Sequence, residues 1–414
     1  MTRDDAAKKI LVLTPQFPSY PPHQGTIMRN YHLIAGLATR HEVHLLSFGH
    51  PAEMQGAPMA DLCQSVHIVP TPQRTMAQRL RGVFFSRLPD MAQRLPSAAF
   101  QEALAATLAG EHPDVVEVEG IELAQYLVQV AESRAGTGRP LLIFDDHNAE
   151  YVLQQRAFET DIRHPGRWVA AAYSFIQWQR LKSYERRACR MADRVVAVSD
   201  TDAQALRKLV PGLEPVVVPN GVDMAYYTAP IPSLEALDRP GPRDLVFTAK
   251  MDFRPNVDAV LWFAEETLPL IRDESPETRF WVVGKDPHPR LAHLAEDPGI
   301  RMTGWVEDVR PYIAGSGLYV IPLRIGGGTR LKVLEAMAMG KAIVSTALGC
   351  EGFDVRPDQE LVIADTPAEF AMTVLALLRD PEHRERLGRA ARRFAGSSYD
   401  WTMIVPQLEQ VYQS

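Results

Sequence analysis

Three consecutive glycines, Gly326, Gly327 and Gly328, stand just ahead of a strongly helix-forming run that carries one carboxylate, Glu335. Glycine builds poor helix and strand interiors, so such a triplet marks a place where bare backbone is wanted. The apolar run Leu318 to Leu323 before it reads as a buried strand, and the helix after it should start near Thr329 and end at Gly340. A helix N-terminus offers unpaired N–H groups and the positive end of a dipole, and missing side chains let an anion come close. The ligand this turn predicts is a phosphate or diphosphate, with Arg324, Arg330 and Lys332 adding positive charge. At helical spacing Glu335 shares the inward face with Leu331 and Ala338. Burying a carboxylate costs on the order of a few kcal/mol unless it is paired or hydrogen-bonded. A ribose diol would satisfy it, because a carboxylate accepts two hydroxyls side by side; a neighbouring cation would serve as well. A phosphate turn followed by a diol acceptor describes a nucleotide site.

Two other stretches carry chemistry. His147 follows the apolar run Leu141 to Asp146, and the carboxyl end of a strand is where open α/β sheets hold their ligands. Asp145 and Asp146 read as the strand end itself, with side chains on alternate faces. Between Gln73 and Leu95, five arginines (Arg74, Arg79, Arg81, Arg87, Arg94) face a single acid, Asp90, and interleave with Leu80, Val83, Phe84, Phe85 and Leu88. Such a segment either lies on an anionic membrane or is a helix whose arginines are solvated. The run Arg167 to Arg190 is similar in composition, but its length and period fit a core helix.

The elements that must position these groups alternate regularly. Runs beginning at Ile10, Glu42, Asp114, Leu141 and Arg194, and again at Leu245, Arg279, Gly299, Leu318 and Lys341, have strand character and are separated by helical stretches such as that of Ile27, Tyr31, Ile34, Leu37 and Ala38. That rhythm predicts doubly wound parallel sheets. It pauses in a proline-rich stretch, residues 228–243, which reads as a linker. The fold class expected is α/β: two facing Rossmann-like domains with a cleft between them. Residues 1–223 form the first, 224–398 the second, and 399–414 a final helix that packs back on the first, with Pro406 kinking or restarting it.

Composition narrows the classes. At 414 residues the chain is too long for one ordinary core, and 46% hydrophobic with 23% charged residues is the make-up of a globular protein. A formal net charge of −7 disfavours a nucleic-acid binder. No apolar run reaches membrane-spanning length and the N-terminal residues lack a signal-peptide core, so a cytoplasmic location is expected. Cys63, Cys189 and Cys350 are too scattered for a metal site or disulfide framework. The absence of a G-x-G-x-x-G fingerprint disfavours a dehydrogenase.

The segment from Gly326 to Thr346 followed by Gly349–Val355 resembles the donor-site signature of family 4 glycosyltransferases of the GT-B fold, in a glycine-rich "GGGTR" variant. The resemblance extends to the N-terminal run Leu13–Ala38, to "DDHNAEY", "VVAVSD", "VPNGVD", "MDFRPNVDAV", "VVGKDP", "TGWVEDV" and the closing "YDWTMIVPQLEQVY". It implies transfer of a sugar from a nucleotide diphosphate donor to a saccharide or lipid-linked acceptor, retaining and without metal or other cofactor, in cell-envelope or exopolysaccharide synthesis. Family members carry two glutamates eight positions apart; Glu335 matches the second, at the ribose, and the first falls on Gly327, so backbone at Gly327, Gly328 and Thr329 must contact the sugar or phosphate. Lys250 matches the first of two diphosphate-neutralising cations. The second position falls on Pro255 or Asn256, leaving Arg254 or Arg330 to substitute. His147 matches the histidine beside the transferred sugar. Gly25 is expected near the donor phosphate. Gly284, Lys285, Gly304, Trp305 and Val306 resemble base-binding positions, with Trp305 equally readable as a packing residue, and Leu331 lies in the donor motif. Arg29, Glu119 and Asn148 are the acceptor-side candidates. Peripheral contact with the inner face of the plasma membrane would suit a lipid-linked acceptor. Two rival readings stand: a sugar-nucleotide epimerase of the same architecture, and a catalytically inactive nucleotide-sugar-binding partner.

Overall fold

In the computed structural model the described residues are 7–20, 25–133, 139–231 and 239–413, with Leu80 described by its backbone alone. Part of the expected linker, residues 232–238, and the residues just before Gly25 lie outside them. The strands form two sheets in which every neighbour is parallel. The first contains β1 (Lys9–Thr14), β2 (Glu42–Gly49), β3 (Ser65–Pro70), β4 (Val115–Glu119), β5 (Leu141–Asp146), β6 (Arg194–Ala197) and β7 (Val216–Val217), in the order β3-β2-β1-β4-β5-β6-β7. The second contains β8 (Leu245–Thr248), β9 (Phe280–Val283), β10 (Ile300–Gly304), β11 (Leu318–Ile321), β12 (Ile343–Ser345) and β13 (Val362–Ile363), in the order β10-β9-β8-β11-β12-β13. Both orders reverse direction once, between β1 and β4 and between β8 and β11. Those two reversals are the switch points at which doubly wound sheets open a crevice.

The near-continuous apolar strands follow from helices covering both faces of each sheet. Along β1, Ile10 and Val12 join one buried cluster and Leu11 and Leu13 another, as a period of two requires. Edge strands β3, β7 and β13 went unforeseen: β3 buries only Val69 among its six residues, and β7 and β13 each span two half-buried residues.

The chain divides into two units, one of residues up to Asn220 together with those from Trp401 onward, the other Gly221–Asp400. The first boundary thus lies three residues ahead of the one expected after Asp223, because Val222 donates its N–H to the Tyr399 carbonyl at 2.7 Å and belongs with it. Tyr399 in turn packs its ring against Phe353 and Phe394, so the returning segment begins at Trp401 rather than at residue 399. The helix Trp401–Gln413 runs unbroken through Pro406. It lies so close to the helix Gly25–Leu37 that a Cβ on Gly36 would meet Val405 Cγ2 at 2.4 Å. Tyr412 reaches the sheet and donates its hydroxyl to Glu117 at 2.6 Å.

The helix Trp168–Met191 buries Leu181, Tyr184, Ala188 and Cys189 along its second half, but its first turns expose Trp168 (60%) and Val169 (88%), which corrects the expectation of a core helix throughout. Arg180 donates to the carbonyls of Gly82 and Val83 and holds this helix beside the helix Met76–Phe85, whose Phe84 and Phe85 are 74% and 84% exposed. Among the described residues no helix is long and apolar enough to cross a membrane.

Candidate functional site

In the second unit the predicted donor residues collect at the carboxyl ends of β8 to β11. After β8 comes Lys250, whose ammonium lies 3.0 Å from Asp252 and 4.0 Å from Asp286 and remains half exposed. Arg254 opens the following helix, Arg254–Trp262. Gly284 follows β9 at φ +147°, and a Cβ there would stand 1.7 Å from the Ala249 carbonyl oxygen, so only glycine lets the chain segments after β8 and β9 meet. Lys285 follows it; Gly304 ends β10, and Val306 packs half-buried on the core. Trp305 is 69% exposed, which removes the packing reading and leaves a large ring free to stack on a ligand.

The glycine turn follows β11. Gly326 and Gly328 have φ of +112° and +76°, and Gly326 packs against Pro255, so the turn after β11 touches the start of the helix Arg254–Trp262. Arg330 donates to the carbonyls of Gly327 and Gly328, fixing the turn. The helix is Leu331–Ala338 with Arg330, not Thr329, at the capping position. It ends as foreseen: Gly340 at φ +67° donates to Met337, and Lys341 to Ala336. Glu335 is half-buried. Burial pushes its carboxyl up, while Lys332 and the Tyr227 phenol beside it act in the opposite direction. No ion pair within 4.0 Å links Lys332 to Glu335; the lysine instead donates to Asn256 Oδ1 at 3.0 Å. The carboxylate thus keeps acceptor capacity that a diol could use.

In the first unit a cavity of about 600 Å³ opens at the carboxyl ends of β1, β4 and β5, lined by Thr26, Gly120, Asp146, His147, Asn148 and Glu150 among others. His147 Nε2 lies 2.6 Å from Glu119 Oε2. Burial lowers the imidazole, with Asp145 opposing; it raises Glu119, with Asp145 adding to it. Both shifts favour an uncharged pair in which the Glu119 carboxyl donates to Nε2, leaving Nδ1 as the ring's second polar atom. Glu119 is 2% exposed and does not line the cavity; its role is to hold His147, which corrects its placement on the acceptor side. Arg29 is corrected likewise. It is 1% exposed and gives its donors to Asp145 at 2.6 and 3.1 Å and to the carbonyls of Val218 and Pro219, tying β5 to the loop after β7. Gly25 begins its helix, and the next residue, Thr26, lines the cavity. Asn148 lines it too and donates to Glu150 at 3.3 Å.

Several groups were missed. Asp146 is fully buried against Glu185, whose carboxylate accepts from the N–H groups of Glu150 and Tyr151 at 2.8 and 3.0 Å. Burial, with Glu185 adding to it, pushes the Asp146 carboxyl well above its ordinary range. Burial, with Glu122 and Glu185, pushes Glu150 up to about 8. Arg74, Arg79 and Arg94, singled out for their spacing alone, also line the cavity. Glu119, Asp145 and His147 approach closely enough to share a metal ion, but Asp145 is already paired with Arg29 and His147 with Glu119.

Two Rossmann-like units, one carrying a glycine turn with an acceptor carboxylate and the other a histidine at a strand end, define the GT-B class of architecture. Residues 25–226 match the model described as Glycosyltransferase Family 4, and residues 242–380 match Glycosyl transferases group 1. The chain belongs to glycosyltransferase family 4. A phosphatidyl-myo-inositol mannosyltransferase of Propionibacterium freudenreichii subsp. shermanii is 28% identical over 225 residues, 53% of this chain and 56% of that one. The chain thus spans little more than half the length of that curated relative. Among solved structures, sucrose-phosphate synthase from Thermosynechococcus elongatus superposes with a TM-score of 0.70 at 16% identity over 98% of each chain. Anabaena HepE in complex with UDP does so with a TM-score of 0.64 at 14% identity, over 97% of this chain and 99% of that one.

Proposed function

We propose that the protein is a glycosyltransferase that moves a sugar, a hexose, from a nucleotide diphosphate donor to a saccharide or lipid-linked acceptor in cell-envelope or exopolysaccharide synthesis. The observation that carries this reading is the convergence of Lys250, Gly284, Gly304, the glycine turn and Glu335 around the carboxyl ends of β8 to β11. Cations and a helix N-terminus stabilise the charge that grows on a departing diphosphate. Glu335 takes the ribose and Trp305 lies against the base. In the first unit the acceptor enters the cavity lined by His147, whose ring is held by Glu119.

Transfer proceeds with retention and without a metal. The bond from the anomeric carbon to the diphosphate oxygen breaks, the acceptor oxygen bonds to the same face, and its proton passes to the departing phosphate. The protein works on the cytoplasmic side of the membrane, and the exposed Phe84 and Phe85, with Arg81 and Arg87 close to them in sequence, support peripheral contact with an anionic surface.

The test is a panel of UDP-, GDP-, ADP- and dTDP-sugars, followed by nucleoside diphosphate release with and without chelator and with and without glycan acceptors. Acceptor-dependent, chelator-resistant release from one donor is expected. Conversion of the donor sugar without acceptor would establish an epimerase instead, and tight binding without turnover an inactive partner.

A further inference from the structure

Three cations surround the glycine turn, and their partners separate them. Arg324 meets Asp258 at 3.1 and 3.2 Å and lies over the Trp262 ring, so it is engaged with the helix Arg254–Trp262. Arg330 is folded onto the carbonyls of the turn itself. Lys332 does neither. Its ammonium donates to Asn256 Oδ1 at 3.0 Å and stands 4.2 Å from the centre of the Phe247 ring.

Asn256 follows β8 and Lys332 follows β11, so the hydrogen bond between them spans the switch point of the second sheet, where such folds bind ligands. Asn256 also donates from Nδ2 to the Lys250 carbonyl at 2.9 Å, so one amide ties the Lys332 side chain to the loop that carries Lys250. An ammonium has three donors, and here a neutral oxygen takes one while a ring face offers only its quadrupole. Glu335 lies one helical turn on, without an ion pair to Lys332 within 4.0 Å among the described residues. Burial accordingly lowers this lysine to about 7, with Glu335 opposing and Arg330 adding. A cation so placed lacks an anion, and Asn256 is where the sequence resemblance left the second diphosphate cation unassigned.

We propose that Lys332 is a diphosphate-binding residue of the donor site, its ammonium held at the switch point by Asn256 and directed to the oxygens of the leaving nucleoside diphosphate. The inference rests on the nucleotide-sugar reading of the second unit. It adds a cation supplied from the helix after β11, opposite Lys250 on the loop after β8. An arriving diphosphate restores the charge of a lysine that is mostly neutral at pH 8, so binding takes up a proton.

The experiment is calorimetry on the full chain at pH 8, in two buffers of different ionisation enthalpy, with UDP, GDP, ADP and dTDP and then with the nucleoside of whichever binds best. The wild type is expected to take up about 0.5–1 proton with the diphosphate, because the lysine regains its charge. Lys332→Gln is expected to lose that uptake and about 30- to 100-fold in diphosphate affinity, while binding the nucleoside within about twofold. Diphosphate binding by the wild type without proton uptake, or equal weakening of nucleoside and diphosphate in the variant, would overturn the inference and make Lys332 a structural partner of Asn256. Should Lys332→Gln not fold, the proton count on the wild type decides alone. If the wild type binds none of the four, the donor-site reading itself falls and takes this inference with it.

Discussion

His147 Nε2 and Glu119 Oε2 stand 2.6 Å apart at the ends of adjacent strands, and only the histidine reaches the cavity. Glu119 therefore acts through the ring. Glu119→Gln is expected to lower kcat about 10- to 100-fold and His147→Ala about 100- to 1,000-fold, each with donor KM within about threefold. The double variant should be no slower than His147→Ala, since the two residues form one device. A double variant showing the product of both losses would mean that Glu119 touches substrate on its own.

Glu335 bears on the ribose. Glu335→Gln should weaken the preferred nucleoside diphosphate about 10- to 50-fold and erase the preference of the wild type over the 2′-deoxy analogue. Titration of both nucleotides into both proteins reads this directly; a preference that survives the substitution removes Glu335 from the ribose.

Gly284 is a position where packing forbids any side chain. Gly284→Ala, with its Cβ 1.7 Å from a backbone oxygen, should cost about 3–4 kcal/mol and collapse soluble yield. Gly166→Ala, which would meet nothing within 4 Å, should stay within about 0.5 kcal/mol of wild type by chemical denaturation.

The acids beneath the cavity give stability a pH slope. Glu150, raised from 4.5 to about 8, holds in the folded chain a proton that the unfolded chain releases above 4.5. Its contribution is complete below pH 4.5 and is lost as pH rises through 8. The wild-type Tm should therefore fall between pH 5 and 8.5 by about 3–5 °C more than that of Glu150→Gln, which cannot ionise. Parallel curves would show that Glu150 is not the group responsible.

Phe84 and Phe85 contribute little to folding at their exposure. Phe84→Ser with Phe85→Ser should leave Tm within about 1 °C and cut co-sedimentation with phosphatidylglycerol vesicles about fivefold or more. Unchanged sedimentation would assign those rings to another partner.

Much of this architecture was legible from pattern. Strands buried on both faces announce themselves as continuous apolar runs, and the glycine turn and the Gly340 stop need only local backbone rules. Edge strands β3 and β13 carry no such signal, since the apolar residues of one are interrupted by Ser65 and His67 and the other is two residues long. Partners distant in sequence left no trace either. Asp145, 116 residues from Arg29, turns a presumed ligand contact into a structural cation, and burial together with Glu185 raises the Asp146 carboxyl. Spacing shows which types of residue can meet a ligand; three-dimensional pairing decides which are already occupied.

The helix Trp401–Gln413 has a consequence for synthesis. All of Gly221–Asp400 is translated before the last element of the first unit. Domains commonly fold as they emerge, the N-terminal one first. Here the unit begun first is finished last. Until Ile404, Val405, Leu408 and Tyr412 arrive, the face of β1 and of the helix Gly25–Leu37 that they cover stays bare, and Glu117 waits for its hydroxyl donor. The nascent first unit is thus the species most open to chaperone capture, and a ribosome stalled after Asp400 would release a chain with a complete second unit and an unfinished first.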